Sequence, residues 1–460
     1  MALLIRNGEI VTASERYRAD IFCEDETITR IGRDLPAPAG AEVIDAAGTL
    51  IFPGFIDPHV HVYLPCLGTE AKDTHATASQ AALIGGTTTF LEMLGPARHE
   101  DPMAGFELWL DKARGHSACD FSFHMTVSRY DAAAEPQFVE IVRRGVASFK
   151  IYLAYKGAFG LTDEELFKTL RLARKLGVIT TAHCENADLI VQLQQQLLAE
   201  GKTGPEWHYA SRPPVVEAEG VHHLLAFAEL LGAHVYVVHL SCEEALREAL
   251  AGRRRGVPVR AETLIQYLLL DKSFAERPGF EGAKFVMSPP LRDKKNQEVL
   301  WNALRDGAIS TLASDHAPFD FATQKRLGEK DFTQIPSGLP GLEDRVNLLY
   351  TYGVKRGRLD LRRFVDAAST QAARLFGLFP RKGAVQPGSD ADLVVYDPAY
   401  RGVVSAKTHA MNVDYNPFEG LAIEGRPHVV TVRGQVAVRD GRFIGQPGRG
   451  QFLPREPSHF

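Results

Sequence analysis

The run Pro53-Gly54-Phe55-Ile56-Asp57-Pro58-His59-Val60-His61 puts two imidazoles two residues apart at the end of an apolar stretch. In extended backbone, residues i and i+2 face the same side, so His59 and His61 can present both rings to one point, as a pair of metal ligands does. A strand facing solvent would carry the same pattern without consequence. Four more ligating or ionisable residues lie at or near the ends of apolar runs of strand length: Lys150 in 147–153, His183 in 178–183, His239 in 235–240 and Asp315 in 309–315. Singly, His183 and His239 read equally well as satisfied core histidines, and Asp315 as the cap of a following helix. Only 16 of 460 residues are His, yet four of them occupy such positions, which favours one shared site.

Lys150 is the odd member. Ser148-Phe149-Lys150-Ile151-Tyr152 surrounds it with residues that favour burial, and an unpaired buried ammonium is penalised or loses its proton. One reading is an ion pair with a buried acid. The other is an amine of depressed pKa that has captured carbon dioxide as a carbamate, whose two oxygens can bridge two metal ions.

These residues converge only if the chain supplies the scaffold. Apolar runs at 54–61, 87–93, 121–127, 147–153, 178–183, 235–240, 257–262 and 309–315 alternate with amphipathic helical stretches. That pattern predicts a parallel sheet covered by helices, an α/β (β/α)8 TIM barrel, whose carboxyl strand ends meet at one mouth. One helix can be read in detail: Thr162 and Glu165 make a capping box, Leu166, Leu170 and Ala173 share a face, and Gly177 ends it. The two ends of the chain read as short strands, with an Asn7-Gly8 hairpin turn near the start and valine-rich runs at 429–434 and 436–441. The expected organisation is a β-sandwich from 1–52 and 386–445, a barrel over 53–385 and a tail at 446–460.

A formal net charge of -5 leaves no electropositive field for a nucleic acid. No apolar run is long enough to span a membrane, and the N-terminus does not read as a signal peptide. The five cysteines, Cys23, Cys66, Cys119, Cys184 and Cys242, are scattered and lack Cys-x-x-Cys spacing. Reduced thiols in a cytoplasmic protein are the expectation, with Cys184 and Cys242 as packing residues.

The motifs Gly54 to His61, Gly85-Gly86-Thr87-Thr88, Ser148 to Lys156, Ala182-His183-Cys184-Glu185-Asn186, Val238-His239-Leu240-Ser241, Met287 to Arg292, Ser314 to Phe319 and Asn412 to Asn416 occur in this order along the chain. In them the chain resembles the cyclic amidohydrolases, and within these the dihydropyrimidinase and hydantoinase family. The resemblance implies two zinc ions, with manganese or cobalt also acceptable to such ligands. His59, His61, carboxylated Lys150 and Asp315 would hold one ion, Lys150, His183 and His239 the other, and a hydroxide would bridge them. It further implies hydrolysis of a ring C–N bond in dihydropyrimidines or 5-substituted hydantoins to N-carbamoyl amino acids, by a homotetramer. Asp315 would carry the proton and the Tyr155 phenol would stabilise the oxyanion, a position that loop packing alone also explains. Main-chain groups at Ser288 and Ser337 would hold the imide edge, while Tyr63, Leu64, Leu67, Leu94 and Phe159 would shape the pocket for the exocyclic substituent.

This chain departs from the hydantoinase pattern at Ser337, where Asn is usual, and the run Ile335 to Gly341 also resembles dihydroorotases and allantoinases. Against those stand Tyr63, where dihydroorotases place an arginine, and Tyr63-Leu64-Pro65-Cys66, where allantoinases carry an Asn-Glu-Pro-Gly run. A non-catalytic dihydropyrimidinase-like scaffold is the reading from another class, and the filled ligand positions oppose it.

Overall fold

The structure is a computed structural model that describes residues 2–457. Met1 and residues 458–460, the extremities of the expected N-terminal sandwich segment and C-terminal tail, lie outside the described residues. Eight parallel strands follow one another around a sheet: β1 Phe55–Val60, β2 Thr87–Leu94, β3 Asp120–Thr126, β4 Ser148–Lys156, β5 Ile179–His183, β6 Val235–Val237, β7 Val259–Leu264 and β8 Thr311–Ala313. Each lies beside its sequence neighbour, the order expected of a (β/α)8 barrel. The seam between β8 and β1 is drawn together just above β8, where the His61 N–H donates to the His316 carbonyl at 2.8 Å.

Two strands end sooner than the apolar runs predict. β6 stops at Val237 and β8 at Ala313, because His239 and Asp315 adopt left-handed backbone, with φ of 39° and 48°. Positive φ is unfavourable for residues bearing a Cβ and takes the chain out of the ladder. Both side chains therefore stand on the rim rather than in a sheet. The helix Asp163–Leu176 forms as read: Thr162 accepts from the Glu165 N–H, Glu165 reaches back, and Gly177 closes the end in the left-handed region at φ 69°.

The termini build a second β unit beside the barrel. A seven-stranded sheet joins Glu9–Val11, Arg16–Arg18 and Leu50–Pro53 to Leu393–Val403, Ala422–Val432, Gln435–Arg439 and Arg442–Phe443. A four-stranded sheet of Ala2–Arg6, Asp20–Glu24, Thr27–Gly32 and Glu42–Asp45 shares with it one apolar cluster that includes Leu3, Ile21, Ile51 and Val395. Leu50–Pro53 runs almost directly into β1, with only Gly54 between them. A Cβ on Gly54 would lie 2.0 Å from Thr88 Oγ1, so the approach of the two units there requires glycine.

Near its C-terminal end the described chain crosses the floor of the barrel. The Leu453 N–H donates to the Phe121 carbonyl at 2.7 Å, and the buried Arg455 guanidinium donates to Ser122 Oγ and Ser148 Oγ, both at 2.8 Å, and to the Phe123 and Phe376 carbonyls. Replacing Arg455 with Met keeps much of the bulk and leaves these acceptors without a donor. The expected outcome for Arg455→Met is a loss of about 2–4 kcal/mol of stability, read from the midpoint of urea unfolding.

Candidate functional site

At the mouth of the barrel β1 delivers His59, His61 follows just past its end, and the turn after β8 brings Asp315 against both. Asp315 Oδ1 lies 3.1 Å from His59 Nε2 and 3.1 Å from His61 Nε2. These three residues form the one group of ligating side chains close enough to share a metal ion among the described residues. Two ligands on a tetrahedral ion with bonds near 2.1 Å would stand about 3.4 Å apart, close to the spacing seen. The turn after β8 enters no helix; it passes through a bridge at His316 toward the short 3-10 turn Lys325–Gly328, so Asp315 caps no helix.

The second group lies alongside. His183 Nδ1, at the end of β5, is 2.9 Å from His239 Nε2, and the His59 and His239 rings stack with centroids 5.4 Å apart. Lys150 rises from the middle of β4, fully buried, with its Nζ 4.9 Å from the Tyr152 ring centroid and no hydrogen-bond partner among the described residues. Burial lowers its pKa to about 8.

Outer carboxylates fix which nitrogen of each imidazole faces inward. His59 Nδ1 is 2.8 Å from Glu262 Oε1, and His183 Nε2 is 2.8 Å from Glu185 Oε2. Each carboxylate accepts a hydrogen bond from the ring N–H, which leaves His59 Nε2 and His183 Nδ1 as the nitrogens turned into the site. His59 Nε2 thus points a lone pair at a carboxylate oxygen, an opposition that a cation between them relieves. Burial also depresses the protonation of His61, to about 4, and of His183 and His239, so the rings are neutral donors near pH 7. Burial works to raise the Glu185 carboxyl, but Arg212 and His183 outweigh it and hold the pKa down to about 2. Together with the orphaned Lys150 amine, this donor set fits a pair of divalent ions.

Tyr155 closes one side. It lies one residue before the end of β4, at φ 60°, and its ring sits 5.3 Å from that of His183 and 5.3 Å from the Arg212 guanidinium. The turn returns through Gly160, where a Cβ would lie 2.2 Å from the Ala154 carbonyl oxygen. Above the metal-binding side chains lies a cavity of about 370 Å³, bordered by Leu64, Leu67, Phe159, Ser288 and Ser337. Ser288 Oγ and Ser337 Oγ are 3.3 Å apart across it.

Tyr63 and Leu94 do not join that cavity. Tyr63, turned by φ 58°, packs its ring 5.5 Å from His75 and under the Lys112 ammonium at 4.3 Å. Leu94 ends β2 and is buried in the barrel's apolar core. Cys184 and Cys242 are buried, donate to the Ala182 and Pro214 carbonyls, and stand outside the ligand group. Glu262, Glu185 and Arg212 are the contributors that reading the sequence left out. For Glu262 the signal was present, because the apolar run 257–262 ends on it. Glu185 and Arg212 are 27 residues apart and give no such signal.

Comparison with known proteins follows the same lines. The amidohydrolase family profile matches residues 50–437. A D-hydantoinase from Geobacillus stearothermophilus is 47% identical over 456 residues, covering 99% of this chain and 97% of that protein. A dihydropyrimidinase from Rattus norvegicus is 36% identical over 462 residues, covering 99% and 89%. Among solved structures, a D-hydantoinase (dihydropyrimidinase) from Thermus sp. superposes with a TM-score of 0.98 at 62% identity over the whole of both chains.

The Glu262 carboxylate orients His59 and also accepts from the His239 N–H and the Tyr236 hydroxyl. Glu262→Gln keeps the shape but weakens the grip on the His59 proton. The expected outcome is a 10- to 100-fold fall in metal affinity, measured by chelator competition, with the fold retained by circular dichroism.

Proposed function

We propose that this chain, which belongs to the amidohydrolase family and within it to the hydantoinases and dihydropyrimidinases, opens dihydropyrimidine or 5-substituted hydantoin rings to N-carbamoyl amino acids. It is a hydrolase acting on the C–N bond of cyclic amides. The observation that carries the finer reading is the set of inward ring nitrogens at His59 and His183, each backed by a carboxylate, beside the unpartnered Lys150 amine. A non-catalytic scaffold has no use for such costly burial.

Two zinc ions, or manganese or cobalt in their place, suit these donors. His59, His61, Asp315 and Lys150 would hold one, and His183, His239 and Lys150 the other, with Lys150 carboxylated so that its two oxygens serve both. When bound, the ions supply a nucleophile from water near neutral pH and polarise the scissile carbonyl. The other steps belong to the chain. As the water oxygen bonds to the ring carbonyl carbon and the C–N bond breaks, one proton must pass to the leaving nitrogen. Asp315 holds one oxygen against both histidines, and its other oxygen takes that proton and delivers it. The Tyr155 hydroxyl, beside the Arg212 guanidinium, donates to the oxygen that gains charge. Main-chain groups of Ser288 and Ser337 hold the imide edge, and Leu64, Leu67 and Phe159 receive the exocyclic substituent. A homotetramer in the cytoplasm completes the reading, and the absence of any disulfide among the five described cysteines suits a reducing compartment.

Purified enzyme assayed on dihydrouracil, 5-substituted hydantoins, allantoin, dihydroorotate and simple cyclic imides should open the first two classes and accept bulky uncharged substituents. Activity confined to dihydroorotate, whose ring bears an acid, contradicts the apolar wall. Lys150→Ala removes the proposed bridge, so metal analysis should show about one ion lost per chain together with a fall of more than about a thousandfold in kcat. Full activity in that variant overturns the assignment.

A further inference from the structure

Lys325 takes no part in the chemistry described above, yet its side chain is fully buried. It opens the 3-10 turn Lys325–Gly328, which follows Asp315 by ten residues. Its ammonium has no carboxylate within ion-pair distance among the described residues. Instead Nζ donates to three main-chain carbonyls: Val286 at 2.9 Å, Pro336 at 2.7 Å and Gly338 at 2.8 Å. An ammonium carries three protons, and each has an acceptor here. A buried cation without a counter-charge is costly, so neutralising an acid is not what this lysine does.

The three carbonyls belong to two segments far apart in sequence, and both reach the cavity. Met287 and Ser288 follow Val286, while Ser337 and Gly338 follow Pro336, and these four residues border the cavity beside the metal-binding side chains. Two direct hydrogen bonds among the described residues also tie the segments together: the Gly338 N–H donates to the Val286 carbonyl at 3.1 Å, and the Ser288 and Ser337 hydroxyls meet at 3.3 Å. Gly338 is pressed from the opposite side, since a Cβ there would lie 2.5 Å from the Ala317 carbonyl oxygen.

We propose that Lys325 is a positioning residue for ring recognition: by gripping the Val286, Pro336 and Gly338 carbonyls from behind, it fixes the spacing of the two main-chain segments that hold the ring's imide edge. This rests on the assignment of Ser288 and Ser337 to that edge. Lys325 touches neither the ring nor the metal-binding side chains, so its effect reaches binding and not the chemical step. The grip also explains how Ser337 can replace a larger side chain, because the position of its main chain is set by Lys325 and does not depend on what the side chain reaches.

The test compares wild type with Lys325→Met, which keeps the length and removes the donors, and with Lys325→Gln, which keeps a shorter donor for part of the cluster. All three are metal-loaded and assayed on a 5-substituted hydantoin and on dihydrouracil. For Lys325→Met, KM should rise about tenfold or more with kcat within about threefold, and Lys325→Gln should fall between it and wild type. In hydrogen exchange, amides of residues 335–340 should exchange about tenfold faster while those of β1 and β5 are unchanged. KM within about twofold of wild type, or a fall confined to kcat, overturns the proposal. So does failure of both variants to fold, which would make the lysine a general structural element. If wild type opens neither ring, the functional reading fails by itself, and exchange still decides the grip: unchanged amides at 335–340 overturn it.

Discussion

The site depends on how the barrel seam is closed. His59 and His61 come from the first strand and Asp315 from just past the eighth, and they meet only because the two ends of the sheet are pinned at that height. Asp57 does much of the pinning. Its Oδ1 accepts from the His59 N–H on its own strand and from the Ser314 N–H across the seam, both at 3.2 Å. Its other oxygen faces the Arg345 guanidinium at 3.2 Å, with both side chains fully buried. Arg345 in turn holds the Leu312 carbonyl on β8 and Thr87 Oγ1 on β2. A buried ion pair of this kind contributes little net stability, because desolvation offsets the attraction. Its value here is in register: a slip of one residue would turn the His59 and His61 side chains out of the mouth.

Around that seam the mouth is arranged as a set of neutral donors backed by anions. The imidazoles face inward with their lone pairs, and the carboxylates that fix them, Glu262 and Glu185, lie one layer further out and are themselves tied by hydrogen bonds and by Arg212. Left-handed backbone at His239, Asp315 and Tyr155 shows that the chain accepts local strain to aim these groups. Burying the Lys150 amine without a partner, in the same layer as neutral imidazoles and the Asp315 carboxylate, opposes folding unless something else binds there. The site is therefore organised by affinity for a cation more than by its own stability.

What the sequence reveals and what it hides follow from the range of the interactions. Strand placement, the capping box at Thr162 and the strand-end positions of the ligands are local or periodic, and a single chain displays them. His239 and Asp315 were legible as residues, but the left-handed turns that lift them out of their strands were not, since β propensity and apolar run length suggest continuation. Tyr63 misled for a related reason: its place in the loop after His61 is evident, while the direction of its ring is set by Lys112 and His75, which no local pattern connects to it. The outer layer was hidden most. Nothing local in the sequence singles out Lys325 or Arg455, and only the fold shows each donating to main-chain carbonyls.

Ser337 sits where the cavity wall, the Lys325 grip and the loop after His61 come together. The loop after His61 packs Leu64 and Cys66 against Ala317 and Phe319, and the Ala317 N–H donates to the carbonyl of Leu339, two residues past Ser337, at 3.0 Å. The Ser337 hydroxyl meets that of Ser288, and the flanking carbonyls are gripped by Lys325. The segment expected to hold the ring edge is thus bound to the loop that carries Leu64 and Leu67, whose side chains border the apolar part of the cavity. A change in that loop would act on the 335–340 segment through Ala317, and a change at Lys325 would act on the loop by the reverse route. The two parts of the cavity wall are then not separable modules. The cluster of His59, His61 and Asp315 stands apart from this coupling, fixed to the barrel by Asp57 and the outer carboxylates, so the cavity wall can vary while the cluster stays in place.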